Sequence, residues 1–146
     1  MEKHELKMTD LQQQMVRPET ATESVEPADP AVVVAEPERM NLLGLMVAGM
    51  LRRRLVDPAA RRHARALRGD VVLEASGMHV TLHFQPSRIE VTRRAPARPR
   101  AAVRGTLTAL LGAALGRDRM RSFLSGQLRA SGSPIALWHV LTLVRA

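Results

Sequence analysis

The stretch that decides the fold reads Val71-Val72-Leu73-Glu74-Ala75-Ser76-Gly77-Met78-His79-Val80-Thr81-Leu82-His83-Phe84-Gln85-Pro86-Ser87-Arg88-Ile89-Glu90-Val91-Thr92. Met78, Val80, Leu82 and Phe84 alternate with His79, Thr81 and His83, which is the period of a strand with one apolar face. Val71, Leu73 and Ala75 alternate with Val72 and Glu74 before it, and Ile89 and Val91 with Arg88, Glu90 and Thr92 after it. Ser76-Gly77 and Gln85-Pro86-Ser87 supply the turns. Strands joined by connections this short run antiparallel, so the stretch predicts a meander with one buried face. Its inward residues need a cover, which the flanking sequence has to provide.

Upstream, Asn41 is placed to cap a helix reaching about Leu55. Asp57-Pro58 pairs an N-cap with a proline in the first turn of a second helix over 58–68, closed by Gly69, with Arg61, Arg62, Arg65 and Arg68 exposed. Downstream, a Pro/Arg loop over 95–100 precedes a fourth strand over 101–105 with Val103 inward. Thr106 caps a helix carrying Leu107, Leu110, Leu111, Ala114 and Leu115 and ending at Gly116. Asp118 caps another, with Met120, Phe123 and Leu124, ending at Gly126. Gln127 to Ser131 reads as a short fifth strand. Ser133-Pro134 opens a last helix with Ile135, Leu137, Trp138, Leu141 and Val144. The order α-α-β-β-β-β-α-α-β-α predicts an α+β domain: a five-stranded, mostly antiparallel sheet with helices on one face.

The chain has 146 residues and a formal charge of +8. Residues 1–40 hold nine acids against four bases, a net −5, while residues 41–146 hold eighteen arginines against five acids, a net +13. We read two units: a disordered acidic arm over 1–40 and a single domain over 41–146. In the arm, Leu6, Met8, Leu11 and Met15 lie in a polar stretch too short to stay helical alone. Residues 18–39 hold four prolines and six acids, and such a segment has too little to bury to offset its ordering entropy. The island Ala31-Val32-Val33-Val34-Ala35 within it reads as slightly sticky linker or, alternatively, as a docking strand suited to edge addition.

Several function classes drop out. Without cysteine there is no disulfide framework, thiolate metal site or Cys nucleophile. Lys3 and Lys7 are the only lysines, so the body has no phosphate-loop or Schiff-base lysine. Of the body's acids, Asp57 and Asp118 read as caps, Asp70 starts a strand, and Glu74 and Glu90 point outward, so no acid–base pair is visible. His79 and His83 share a strand face, but four residues of strand put their Cα atoms roughly 13–14 Å apart, too far to ligate one metal. His63 and His139 read as unpartnered surface histidines. We expect no enzyme, no catalytic residue, no metal and no cofactor. The basic body invites nucleic acid. Against that, Phe84, Phe123 and Trp138 fall on apolar faces, which leaves no stacking platform, and no helix reads as a recognition helix. The arginines read instead as a solvated coat or as a surface for an anionic membrane. The N-terminus carries no signal-peptide core. The longest apolar stretch, Leu42 to Leu51, is about half a membrane span. A cytoplasmic protein, peripheral to membranes at most, is expected.

The Met40–Leu55 segment is apolar around its whole circumference through Leu42, Leu43, Leu45, Met46, Val47, Met50 and Leu51. Such a helix has to be covered on all sides, as a core helix, a lid over an apolar cavity or a membrane contact. Arg52, Arg53 and Arg54 at its end suit both the helix dipole and anionic lipid.

Four stretches then carry a family pattern in order: the Leu-rich helix with Ala66-Leu67-Arg68-Gly69 behind it, the meander, Gly105-Thr106-Leu107-Thr108-Ala109-Leu110-Leu111, and Phe123-Leu124-Ser125-Gly126-Gln127-Leu128-Arg129-Ala130-Ser131-Gly132. Over about residues 42–146 the body resembles the sterol carrier protein two (non-specific lipid-transfer) domain family, bacterial type. The resemblance implies an apolar tunnel between sheet and helices and a non-enzymatic role: binding an acyl, sterol or isoprenoid-type lipid and presenting it to a membrane or enzyme. Bacterial relatives of this kind include accessory factors of ubiquinone biosynthesis. In such a tunnel the lipid would meet Leu45, Met46 and Met50 of the first helix and Met78, Val80, Leu82 and Phe84 of the sheet. From the later helices it would meet Leu110, Leu111, Leu115, Phe123, Trp138 and Leu141. The acidic arm lies outside the family pattern, and the body has fewer aromatics than family members often carry. The alternative is a protein-interaction or anionic-partner module tethered by residues 1–40, which either dock a protein partner or fold back on the arginines.

Overall fold

The computed structural model describes residues 29–114 and 125–144. The expectations for the arm before Asp29, for Leu115 and the helix end at Gly116, and for the helix from Asp118 through Phe123 lie outside the described residues. Those residues form one sheet of six strands: β1 (Ala31–Val34), β2 (Gly69–Ala75), β3 (Met78–Gln85), β4 (Arg88–Thr92), β5 (Ala101–Gly105) and β6 (Leu128–Gly132). The strand order is β1-β4-β3-β2-β5-β6. Four α-helices accompany it: α1 (Leu42–Arg54), α2 (Pro58–Ala66), α3 (Leu107–Ala114) and α4 (Pro134–Val144), with a 3-10 turn at Pro37–Arg39.

The meander forms as the alternation requires. β2 and β3 pair antiparallel from Gly69↔Phe84 to Ala75↔Met78, and β3 continues antiparallel to β4, with Leu82 opposite Val91 and Phe84 opposite Ile89. Ser76 and Gly77 both take positive φ, 51° and 77°, the turn whose twist matches that of the strands it joins. β5 returns parallel to β2 and sets Ala101 beside Val71 and Val103 beside Leu73. Val71, Leu73, Ala75, Val80, Leu82, Phe84, Ile89 and Val91 are all buried. On the outward side only Thr81 is deeply buried among polar residues, and its hydroxyl donates to the Arg94 carbonyl at 2.7 Å.

The helix starts follow from their caps. Asn41 Oδ1 accepts from Gly44 N (2.9 Å) while its Nδ2 donates to the His79 carbonyl (3.1 Å), which ties the start of α1 to β3. Asp57, Thr106 and Ser133 accept from Ala59 N, Ala109 N and Ala136 N and so open α2, α3 and α4. At the β6–α4 junction Gly132 has φ 100°, and a Cβ there would collide with the Arg100 carbonyl and the Ala101 backbone. The same carbonyl accepts from Ser133 N at 2.9 Å.

One expectation needs correction. The sheet has a sixth strand because Ala31–Val34, expected as sticky linker or alternatively as a docking strand, pairs parallel to β4, with Val32 beside Ile89 and Val34 beside Val91. The Val run satisfies its backbone on that edge and packs both inward valines against the core. Pro30 is buried, Arg52 donates to the Val32 carbonyl, and Asp29 accepts from Arg61 (2.6 Å) and Arg65 (3.0 Å). Residues 29–39 are therefore built onto the domain.

Ile89 sits where β1, β4 and β3 meet and is fully buried. Ile89→Ala should lower the unfolding free energy by about 2–5 kcal/mol in urea titrations followed by circular dichroism. Val33→Ala, on the outward side of β1, should cost less than about 1 kcal/mol.

Candidate functional site

α1 buries Leu43, Gly44, Val47, Ala48 and Leu51, the side that meets the sheet. The all-round cover expected for this helix is not provided: Leu42 and Leu45 are 57% and 49% exposed, and Met46 and Met50 are half-buried. The reason lies beside them. Between α1, the inner sheet face, α3 and α4 is a cavity of about 530 Å³. Leu73, Leu82, Phe84 and Val103 form its floor. α1 contributes Leu43, Leu45, Met46, Val47, Gly49, Met50 and Leu51, α3 contributes Leu107, Leu110 and Leu111, and α4 contributes Val140, Leu141, Leu143 and Val144. Gly49 leaves room on this wall, since a Cβ there would meet nothing within 4 Å.

Among the described residues, Arg53 and Arg54 are the only polar side chains in the lining. Arg54 is committed to structure, its Nε donating to the Leu143 carbonyl at 3.2 Å and joining the ends of α1 and α4. Arg53 is exposed and pairs with no carboxylate among the described residues. The described part of the wall is otherwise hydrocarbon, which excludes water and favours an apolar occupant. The volume falls within the roughly 300–1,000 Å³ of small-molecule sites.

Residues 49–144 match the SCP-2 sterol transfer family. The chain belongs to that family. It is one of apolar-lipid binding and transfer domains, which is the chemistry the cavity wall permits. Solved structures of similar fold include a UbiJ-SCP2 ubiquinone synthesis protein, with TM-score 0.58 and 18% identity over 70% of this chain and 93% of that one. The sterol carrier protein domain 2 of Helicoverpa armigera gives 0.57 and 13% over 76% and 91%. Sterol carrier protein 2 of Yarrowia lipolytica, in its apo form, gives 0.50 and 12% over 70% and 89%. At these identities the likeness is one of fold. No curated protein matches the chain.

Of the residues expected to meet lipid, Leu45, Met46, Met50, Leu82, Phe84, Leu110, Leu111 and Leu141 line the cavity of this SCP-2 domain. Leu115 and Phe123 lie outside the described residues. Three others are placed elsewhere. Val80 shares the inward parity of Leu82 but is sealed under the start of α1, in reach of Gly44. Met78, at the far end of β3, packs against the margin of the core. Trp138 stands on the outer side of α4, 57% exposed. Leu73, Val103, Leu107, Val140, Leu143, Arg53 and Arg54 join the wall without having been singled out for it. Strand parity marked Leu73 and Val103 as inward and helical spacing grouped Leu107 with Leu110, while the arginine run at the end of the first helix pointed to anionic lipid without placing Arg53 and Arg54 on the wall.

The histidines also differ from expectation. His63 on α2 and His139 on α4 are not unpartnered: their Nδ1 atoms lie 3.1 Å apart, so one must donate to the other. Trp138 meets both rings edge-on, with centroids 5.3 Å and 4.9 Å away. One exposed indole held this way makes no platform for successive bases. On the sheet's outer face His79 bonds the Arg93 carbonyl and His83 bonds Asp70. No group of three or more His, Asp or Glu among the described residues is arranged to hold a metal. No helix among them is long and apolar enough to cross a membrane.

Burial, then the neighbouring charge of His63, then that of Arg100 hold the His139 pKa below its ordinary 6.5. Unfolding therefore takes up protons between that value and the lower folded one. The contribution is fully present above about pH 6.5 and is lost as pH falls through the window below it. Thermal melts should show stability declining with falling pH in this range, and His139→Asn should flatten that slope. An unchanged slope would show that other groups set it.

Proposed function

We propose that this SCP-2 domain is a non-enzymatic carrier that holds one apolar lipid, of acyl, sterol or isoprenoid type, between α1 and the sheet and presents it to a membrane or an enzyme. The observation that carries this reading is the cavity of about 530 Å³ whose only polar side chains among the described residues are Arg53 and Arg54. Affinity in such a site comes from removing hydrocarbon from water, at about 0.8 kcal/mol per buried CH₂. About ten methylenes supply roughly 8 kcal/mol, from which the costs of immobilising the ligand are subtracted, so micromolar binding calls for a longer chain. Arg53 offers an anionic head a partner while leaving it in contact with solvent. A cytoplasmic setting, at the periphery of a membrane, fits a chain without cysteine. In this reading the carrier is the unit over residues 41–146 with β1 added to its sheet, and the acidic segment ahead of it is a separate unit. The alternative of a protein- or anion-binding module worked by residues 1–40 loses its strongest motif, because Ala31–Val34 is already paired with β4.

Native mass spectrometry of protein purified from its own host should show a bound mass that organic solvent removes. Gly49→Phe would push a ring into the cavity from a helix position with open space beside it. It should lower affinity for long-chain acyl or prenyl probes at least about tenfold, yet leave thermal stability unchanged or slightly higher, because glycine inside a helix costs about 0.5–1 kcal/mol. A homogeneous unliganded mass with no saturable probe binding would overturn the reading.

A further inference from the structure

Trp138 is outside the cavity, and its surroundings form a second surface. Ile135, Trp138 and Leu141 follow at helical spacing along α4 and are 66%, 57% and 40% exposed, while Ala136, Val140 and Leu143 on the other side are buried. The stripe runs into the mouth of the cavity: Leu141 belongs to both, and Leu45 and Leu111 line the same cavity while being exposed.

Arginines mark both ends of this stripe. At its start the Arg100 backbone carbonyl accepts from Ser133 N, while the exposed Arg100 guanidinium donates to the Arg68 carbonyl at 3.0 Å. At its end Arg54 holds the Leu143 carbonyl, with exposed Arg53 beside the mouth. Arg62 is exposed on α2, the helix whose His63 meets Trp138. α1, α2, α3 and α4 contain no Asp or Glu at all. The described acids lie elsewhere: Asp70, Glu74 and Glu90 on the outward side of the sheet, Glu36 and Glu38 at the 3-10 turn, Asp57 in its cap, and Asp29 between Arg61 and Arg65.

The geometry points to this helix face as a docking surface for a bilayer rich in anionic phospholipid. Ile135 and Trp138 enter the boundary between headgroups and acyl chains, Arg53 and Arg62 meet the phosphates, and the cavity mouth turns toward the lipid. An indole with an apolar body and a polar N–H suits that boundary, and each arginine near an anionic surface adds attraction that salt removes. The docking surface is independent of what fills the cavity. Cargo is read by mass and docking by Trp138, so either reading can fail alone.

Trp138 is the chain's sole tryptophan and therefore reports on its own surface. Full-length protein would be mixed with vesicles of phosphatidylcholine alone or with phosphatidylglycerol added. With the anionic vesicles Trp138 emission should move to shorter wavelength and be quenched by lipids brominated near the headgroup. Ionic strength of about 1 M, where the screening length is about 3 Å, should reverse both. Ile135→Asp combined with Arg62→Glu, both at exposed positions away from the cavity wall, should reduce partitioning at least about tenfold. Binding to vesicles with Trp138 emission unmoved would place the contact on another face, and no binding to anionic vesicles would sink the proposal outright. A shift that grows with protein concentration without vesicles would assign the stripe to a second copy of the chain instead.

Discussion

The seven-residue ladder between β2 and β3 settles which side chains share a face, and the layers follow from it. The Ser76-Gly77 turn locks the register from Ala75↔Met78 to Gly69↔Phe84. A slip of one residue in β3 would turn Val80, Leu82 and Phe84 out and bring His79 and His83 in. With the register fixed, β4 and β1 extend the apolar face on one flank and β5 extends it on the other. Every helix that needs a partner then finds it on that one side. The outward side is left to Asp70, His83, His79 and two close ion pairs, Arg88–Glu90 at 3.3 Å and Arg104–Glu74 at 3.1 Å.

The cavity follows from how α1 meets that face. Gly44 brings the helix close to the sheet, since a side chain there would run into Met40 and Val80. One turn later, Gly49 leaves the neighbouring wall open. The same helix is thus tightly packed on one side and loosely faced on the other, which accounts for its apolar circumference without requiring a core all round. A sealed, empty void of 530 Å³ would be costly: at about 24 cal/mol per Å³ it approaches 13 kcal/mol, as large as the whole stability of a small domain. The exposed leucines at 45, 111 and 141 keep this space open to its surroundings, and filling it with hydrocarbon returns contacts that the wall otherwise lacks.

What could be read from the sequence was what is local. Alternation in β2, β3 and β4, and the caps at Asn41, Asp57, Thr106 and Ser133, depend on neighbours within a few residues, and the structure has them all. For β1 the sequence offered edge addition only as an alternative and not its place in this sheet, because its pairing joins residue 32 to residue 89 and a Val run among acids looks the same whether or not an edge is waiting for it. For the site, parity told which face a side chain occupies but not what stands above it. Val80 and Leu82 share a face, yet α1 seals the first and the cavity opens over the second. His63 and His139, 76 residues apart, meet only because α2 packs on α4.

The reversal of charge at residue 40 takes on a different meaning once the layers are in place. It first divides the chain into an acidic and a basic half, but Asp29 from the acidic half closes on Arg61 and Arg65 of the basic one. The deeper division runs between layers. The described helices supply Arg52, Arg53, Arg54, Arg61, Arg62 and Arg65 with no acid among them, whereas the sheet's outward side mixes acids with partnered arginines. A charge distribution of that kind gives the molecule a preferred orientation in the field of a negatively charged surface, helices first. The helix side is also where the apolar mouth opens. Position along the chain predicted the sign of the charge, but only the fold places it beside the mouth of the apolar cavity.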